Sequence, residues 1–325
     1  TSLNAMAAEL VGISLSVEPG KACYIPVAHK GIGAQGSLDL GEAESERAEA
    51  PKQISRKKAL DLLQPLLEDT SVLKIGQNIK YDALVFLRNG VVLAPVDDTM
   101  LCSFVLEGGA GKHSMDALAE RHLGLQTIKY KDVVGTGKKQ ITFDYVPLEK
   151  ACGYAAEDAD ITLRLHRQLK PRLVEEKMVT VYETIERPLI PVLIGMERAG
   201  ISVDSAMLKG LSRDFAQRLG GLEDEIKTLA GEDFNVGSPK QLGEILFDKL
   251  GLPGAKKTKT GAYQTDVKVL EDLAAGGYEL PTRVLDWRQL SKLKSTYTDS
   301  LVEDVNAETG RIHTSYSMAG AQTGR

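Results

Sequence analysis

The rhythm of apolar and polar positions changes once along this chain. Up to about residue 180, short runs of period two alternate with longer runs of helical period; beyond it the period of two nearly vanishes. Residues 9–17 alternate as a strand, Glu18-Pro19-Gly20-Lys21 turns, and residues 22–27 return, which predicts a hairpin. Residues 31–53 are Gly-rich and charged and read as a loop. Ser55 is placed to cap a helix carrying Leu60, Leu62, Leu63, Leu66 and Leu67. A short strand follows at 72–76, then a helix at 81–89 stopped by Asn89-Gly90, then a strand at 91–93. Asp98 caps a helix at 99–106, Ser114 caps one at 115–123, and a long helix starts at Leu148 and runs to about Lys170.

The second half predicts helices almost throughout. Residues 174–198 are helical, interrupted at Pro188 and Pro191, and stop at Gly200. After an extended piece at 201–203, a helix covers 205–229. Ser238 followed by Pro239 opens another, with the cap and first-position residues in their favoured places. Residues 251–263 form a Gly/Lys/Thr loop, Thr265 caps 267–273, and a further helix spans 282–301. A turn at 306–310 leads into a strand at 311–316.

Composition narrows the class. A chain of 325 residues has room for two or three domains, and 42% hydrophobic with 26% charged residues suits a globular protein. No apolar run approaches the ~20 residues of a membrane span, and the start lacks the basic and apolar regions of a signal peptide. The first residue is not Met, so the chain is expected to begin inside a longer protein. Cys23, Cys102 and Cys152 show neither metal-ligand nor disulfide spacing, which points to a reducing, cytoplasmic setting. The net charge of −5 means that any contact with a polyanion must come from local basic patches.

Two carboxylate motifs carry the candidate chemistry. The first is Gln77-Asn78-Ile79-Lys80-Tyr81-Asp82; the second is Tyr154-Ala155-Ala156-Glu157-Asp158. Tyr154 and Asp158, four apart, share a helix face bordered by small residues. Taken alone, that is also how an ordinary helix surface looks, and Asp82 alone could be a cap. Together they place two acids at the edge of one sheet, with a Tyr able to orient an attacking water. Two-metal phosphodiester cleavage needs several such carboxylates, and hard cations take about six oxygens. A pair of acids is therefore part of a site.

Residues 1–180 resemble the proofreading 3'→5' exonuclease domain of family A DNA polymerases, whose second motif falls on Asn78, Tyr81 and Asp82 and whose third falls on Tyr154 and Asp158. The resemblance implies Mg²⁺, with Mn²⁺ able to replace it, held by Asp82 and Asp158. It also implies a first motif, Asp-x-Glu, which this sequence does not contain. Leu3, Asn78, Tyr81 and Tyr130 would contact a single-stranded 3' end; Tyr130 reads equally as a loop residue. In the second half, Ser238 to Phe247 and Lys256-Lys257-Thr258-Lys259-Thr260-Gly261 are similar to the family's thumb, Ser291 to Asp299 to its thumb-to-palm helix, and Gly310 to Tyr316 with Gln322-Thr323-Gly324-Arg325 to the beginning of its palm. From Ser238 to Lys259 five Lys stand against two acids, 5 − 2 = +3. Lys240, Lys256, Lys257, Lys259, Lys292, Lys294 and Arg325 would then grip a primer-template duplex by its phosphates and minor groove; as composition alone, the Lys/Thr loop is equally a solvated surface.

The expected fold is thus a ribonuclease H-like α/β domain with a mixed sheet and flanking helices at 1–180, a mainly helical connector and thumb at 181–305, and the beginning of a palm at 306–325. The expected function is part of a DNA polymerase with 3'→5' proofreading in replication and repair, a monomer with no membrane contact, near the nucleoid. The isolated chain is expected to be inactive or nearly so. A ribonuclease D-like exoribonuclease is the competing enzyme, but it would carry a compact helical bundle in place of the thumb segments. A non-catalytic DNA-binding module is the third reading.

Overall fold

The computed structural model describes residues 2–31, 50–258 and 261–323. They form two compact units: Thr1–Ala199 together with Thr314–Arg325, and Gly200–His313.

In the first unit, β1 (Gly12–Glu18) and β2 (Lys21–Pro26) make the expected antiparallel hairpin, with Leu15 opposite Cys23. Gly20 turns it at φ 81°, where a side chain is disfavoured. The loop expected at 31–53 lies largely outside the described residues. Helix α1 (Arg56–Leu67) starts at Ser55, whose hydroxyl accepts from the Lys58 N–H, and buries Ala59, Leu60 and Leu67. Strand β3 (Lys74–Gly76) leads to α2 (Ile79–Arg88). The next strand is not at 91–93. It is β4 (Val96–Asp98), parallel to β3, because pairing begins where the Lys74 N–H meets the Pro95 carbonyl at 3.0 Å. Val91 instead packs in the core, 1% exposed.

Asp98 caps α3 (Thr99–Leu106) as expected. Helix α4 (Met115–Leu118) follows and widens into a π turn at Ala119–Leu123; Ser114 does not cap it with its side chain. Tyr130 opens the short α5 (Tyr130–Val134) and so is helical, not in a loop. Helix α6 (Leu148–Glu175) runs beyond the expected stop and through Pro171, because Leu165, Leu169 and Leu173 are all buried and hold it to the core on both sides of the missing N–H. Helices α7 (Val179–Val181) and α8 (Arg187–Ala199) follow, joined by a wide turn at Tyr182–Glu186. Among the described residues, the sheet character of this unit is therefore one antiparallel hairpin and one separate parallel pair.

The second unit is mainly helical. Strand β5 (Ile201–Ser202) enters it, followed by α9 (Ser205–Ala230), α10 (Pro239–Gly243), α11 (Val267–Ala275), α12 (Glu279–Leu293) and α13 (Ser300–Glu303). Strand β6 (Arg311–Ile312) pairs antiparallel with β5, so the expected strand at 311–316 is shorter. Ser238 caps α10 as expected. The cap of α11 is Asp266, not Thr265: Asp266 accepts from the Val269 N–H at 3.1 Å, while Thr265 is buried and its carbonyl takes the Arg288 guanidinium. Ile226, Leu242, Leu246, Leu270 and Val284 fill the core.

The compact units divide at 199/200 and 313/314. Ile190 is fully buried in the first unit's core, and Ile194 and Met318 pack against it, so α8 and the segment after β6 belong there. Among the described residues no helix is long and apolar enough to cross a membrane.

Candidate nuclease site and nucleic-acid surface

The site grows from the β3–α2 junction. At Gly76 a Cβ would stand 2.7 Å from Ile79, so the tight turn needs glycine. Gln77 is pinned on both ends, donating to the His113 carbonyl at 2.7 Å and accepting from the Thr99 hydroxyl at 2.6 Å. Asn78 adopts the left-handed conformation (φ 58°, ψ 48°) and its side chain is exposed. Asp82 then lies in the first turn of α2. Solvent reaches Asp82, yet protein atoms crowd it; that crowding and the charge of Asp98 push its carboxyl up to about 7. Asp98 itself is buried and pushed up to about 6, with its backbone hydrogen bonds opposing the rise.

Helix α6 supplies the facing pair. The Tyr154 hydroxyl hydrogen-bonds the Asp158 carboxylate, four residues on. Burial pushes Asp158 up to about 7 against that hydrogen bond, helped by the charges of Glu157, Asp116 and Asp82. Burial also raises the Tyr154 phenol, so it stays a hydrogen-bond donor at neutral pH. Asp158 Oδ1 is buried and has no hydrogen-bond partner. An orphaned carboxylate oxygen facing another acid is the donor set that a divalent cation satisfies.

The other nearby acids are already engaged. Glu157 accepts from the Ile128 N–H at 2.7 Å; Asp116 takes the Thr127 hydroxyl at 2.6 Å and Lys129 at 2.9 Å. Among the described residues no group of three or more His, Cys, Asp or Glu is placed to hold a metal ion. Asp82 and Asp158 therefore fit as part of a cation site, and the described residues do not complete it.

An aromatic cluster borders these acids. Tyr130 stacks on Phe143 at 6.3 Å between centroids and meets Tyr154 edge-on at 5.9 Å. Tyr130 stays 47% exposed, enough to offer a face to a base. Leu3 is almost wholly exposed, and the Tyr81 hydroxyl donates to the carbonyl of neighbouring Ser2. Thus the structure brings Asp82, Tyr154, Asp158 and Tyr130 into one neighbourhood. Phe143, Asp116 and Glu157 were not singled out from the sequence. Phe143 lies outside both motifs, and no local pattern marks it.

In the second unit, Lys257 and Tyr263 form an isolated antiparallel bridge, the Gln264 N–H meets the Lys256 carbonyl at 2.8 Å, and the Lys257 ammonium lies 4.8 Å from the Tyr263 ring centroid. Lys240, Lys256, Lys257 and Lys292 are exposed. Lys292 lines an open cavity of about 760 Å³ with Thr258, Trp287, Arg288, Ser291 and Ser295. Lys294 differs from expectation. It pairs with Asp299 at 2.7 Å, and Asp299 also takes the Ser212 hydroxyl, so its charge is spent within the unit. Lys259 and Arg325 lie outside the described residues.

Comparison with known proteins gives the family. Residues 1–174 match the family profile described as 3'-5' exonuclease, and residues 205–325 match DNA polymerase family A. The chain is 53% identical over its whole length to DNA polymerase I of Rhizobium leguminosarum and 46% identical to DNA polymerase I of Pseudomonas aeruginosa, covering 32% and 34% of those proteins. It spans about a third of the length of these relatives. A solved structure, the POL domain of Pol1 from M. smegmatis in complex with DNA primer-template and dNTP, aligns with 84% of this chain and 44% of its own at 29% identity and a TM-score of 0.69. The polymerase match over the second half sets aside a ribonuclease D-like arrangement. Through residues 1–174 and 205–325, the chain belongs to the family of bacterial DNA polymerases that joins a 3'-5' exonuclease domain to a family A polymerase domain.

Proposed function

We propose that this chain contributes the second and third motifs of a 3'→5' exonuclease site, together with the thumb of a template-directed DNA polymerase. The observation that carries the nuclease reading is the buried, unpartnered Asp158 Oδ1 beside a second carboxyl, Asp82, with both pushed up to about 7. Bound Mg²⁺ or Mn²⁺ would neutralise that charge and supply Lewis acidity to the scissile phosphate. Asp82 and Asp158 would hold the cation. Tyr154, fixed by Asp158, orients the attacking water. Tyr130 stacks a frayed base, and Asn78, Tyr81 and Leu3 border the single strand. Lys240, Lys256, Lys257 and Lys292 hold duplex phosphates, with Lys259 and Arg325 as further contacts. The partner is DNA, met as a 3' end in one unit and as primer-template in the other, by a monomer working in the cytoplasm beside the nucleoid.

The test uses the full-length gene product and labelled single-stranded DNA. Asp82→Ala and Asp158→Ala each abolish metal-dependent 3' trimming, because each removes charge from the cation. Tyr154→Phe slows it by about 10²–10⁴-fold, the usual cost of one positioned hydrogen-bonding group. Small and equal effects from all three would sink these roles. The chain by itself is expected to trim slowly at best, since among its described residues no group of three or more His, Cys, Asp or Glu is placed to hold a metal ion.

A further inference from the structure

We propose that Asp98 is a positioning residue of the nuclease site: its buried carboxylate caps α2 and α3 at once, and so frees the Asn78 side chain to face the substrate strand. The inference rests on the exonuclease reading above.

Asn78 occupies the cap position of α2, and Asn is a residue type that normally caps with its own side chain from an extended backbone. Here it does neither. Its backbone is left-handed, its side chain makes no capping hydrogen bond, and it is exposed. The first amides of α2 are satisfied from elsewhere. The Asn78 N–H donates to Asp98 Oδ1 at 3.1 Å and the Ile79 N–H to Asp98 Oδ2 at 2.9 Å. The same carboxylate accepts from Met100 and Leu101, the first turn of α3, at 2.8 and 3.4 Å. One fully buried carboxylate thus ties two helix N-termini together.

Asp98 is in turn held from behind. Its N–H donates to the Tyr182 hydroxyl at 3.0 Å, and that hydroxyl donates to Asp97 Oδ1 at 3.2 Å. Asp97, also fully buried, is clamped by His166 at 2.8 Å, Lys170 at 2.9 Å and Arg187 at 3.2 Å. The start of α2 is therefore located from the core, and Asp82, one turn in, is located with it. A satisfied network of this kind rigidifies what it touches, and replacing a group that orients metal-binding side chains typically costs about 10- to 100-fold in metal affinity.

The test compares Asp98→Asn and Asn78→Gly in the full-length gene product. Asp98→Asn keeps the shape but has one acceptor oxygen for four amides. The expected result is faster amide hydrogen exchange at Asn78 and Ile79, about a 10- to 100-fold rise in the Mn²⁺ needed for half-maximal trimming, and a raised KM for a single-stranded 3' end, because the Asn78 side chain is drawn back to cap α2. Asn78→Gly keeps the left-handed backbone and removes only the side chain. It is expected to leave melting, exchange and metal requirement as they are and to raise KM. Wild-type exchange and metal requirement in Asp98→Asn overturn the inference. If Asp98→Asn does not fold, Asn78→Gly decides: a fall in melting temperature, or an unchanged KM, overturns it. Asp82→Ala separates the two readings. If it still trims, the exonuclease reading itself fails; if it does not trim and the other two variants behave as wild type, only the role of Asp98 fails.

Discussion

Asp158 has one carboxylate side engaged by Tyr154 and one buried oxygen with nothing to bond, and this asymmetry makes its charge costly. Its folded pKa, about 7, lies above its ordinary 3.8, so the folded protein binds that proton more tightly than the unfolded chain does. The group's contribution to stability is then fully present below about pH 4 and is lost as pH rises through about 7. Asp158→Asn is accordingly expected to melt above wild type beyond about pH 7, with the gap closing below about pH 4. The gain is roughly 1–3 kcal/mol, reduced from what an unscreened carboxylate would show because solvent reaches the site. Thermal melts across pH check this; a gap that widens toward acid would contradict it. Adding Mn²⁺ above about pH 7 should stabilise wild type and leave Asp158→Asn unmoved. At this scale the pairing of Tyr154 with Asp158 could be read from the sequence, because a helix brings residues four apart onto one face, whereas only the fold brings Asp82 of α2 near them. Phe143, Asp116 and Glu157 were not, since their roles depend on neighbours supplied by the fold.

Helix α8 shows how far the element scale outruns periodicity. It is apolar on two sides. Ile190 and Ile194 turn into the core, while Val192 and Met196 remain about half exposed, and the sequence does not say which side is which. Its Glu197 is buried and forms an ion pair with buried Lys80 of α2, two residues before Asp82. Glu197 also accepts the Tyr316 N–H at 2.7 Å, which ties the segment after β6 to the same helix pair. Lys80→Met strands a buried carboxylate and is expected to cost about 3–5 kcal/mol. Adding Glu197→Leu should recover part of that loss, because the stranded charge goes with it. Urea unfolding of the two single variants and the double variant measures the coupling; strictly additive losses would show that the pair does not act as a unit. Helices were read correctly in kind, yet their ends moved wherever packing outvoted local signals, as at Pro171 of α6 and at Asp266 in place of Thr265.

For the whole molecule, the proposed contact with DNA has to be made against a net charge of −5. The exposed cations of the second unit offer an answer that depends on salt. Replacing Lys256, Lys257 and Lys292 together by Ala should weaken duplex binding equally for all sequences, and should flatten the slope of log affinity against log salt by about 0.9 for each phosphate left without its lysine. Lys294→Ala should leave that slope unchanged, since Asp299 already neutralises it. Duplex titrations at several salt concentrations decide. An unchanged slope in the triple variant would make these lysines a solvated surface, and a slope that changes in Lys294→Ala would mean that its ion pair opens on DNA. The sequence by itself determined the α/β-then-helical order, the hairpin, most helices and their caps, and the two motifs, because each of these is written within a few neighbouring residues. The structure alone decided which lysine is spent in an ion pair, where the units divide, and what holds the motifs. Lys80 finds Glu197 across 117 positions, and Asp98 finds the Tyr182 hydroxyl across 84. No local window contains both partners of such a contact; only the packed core brings them together.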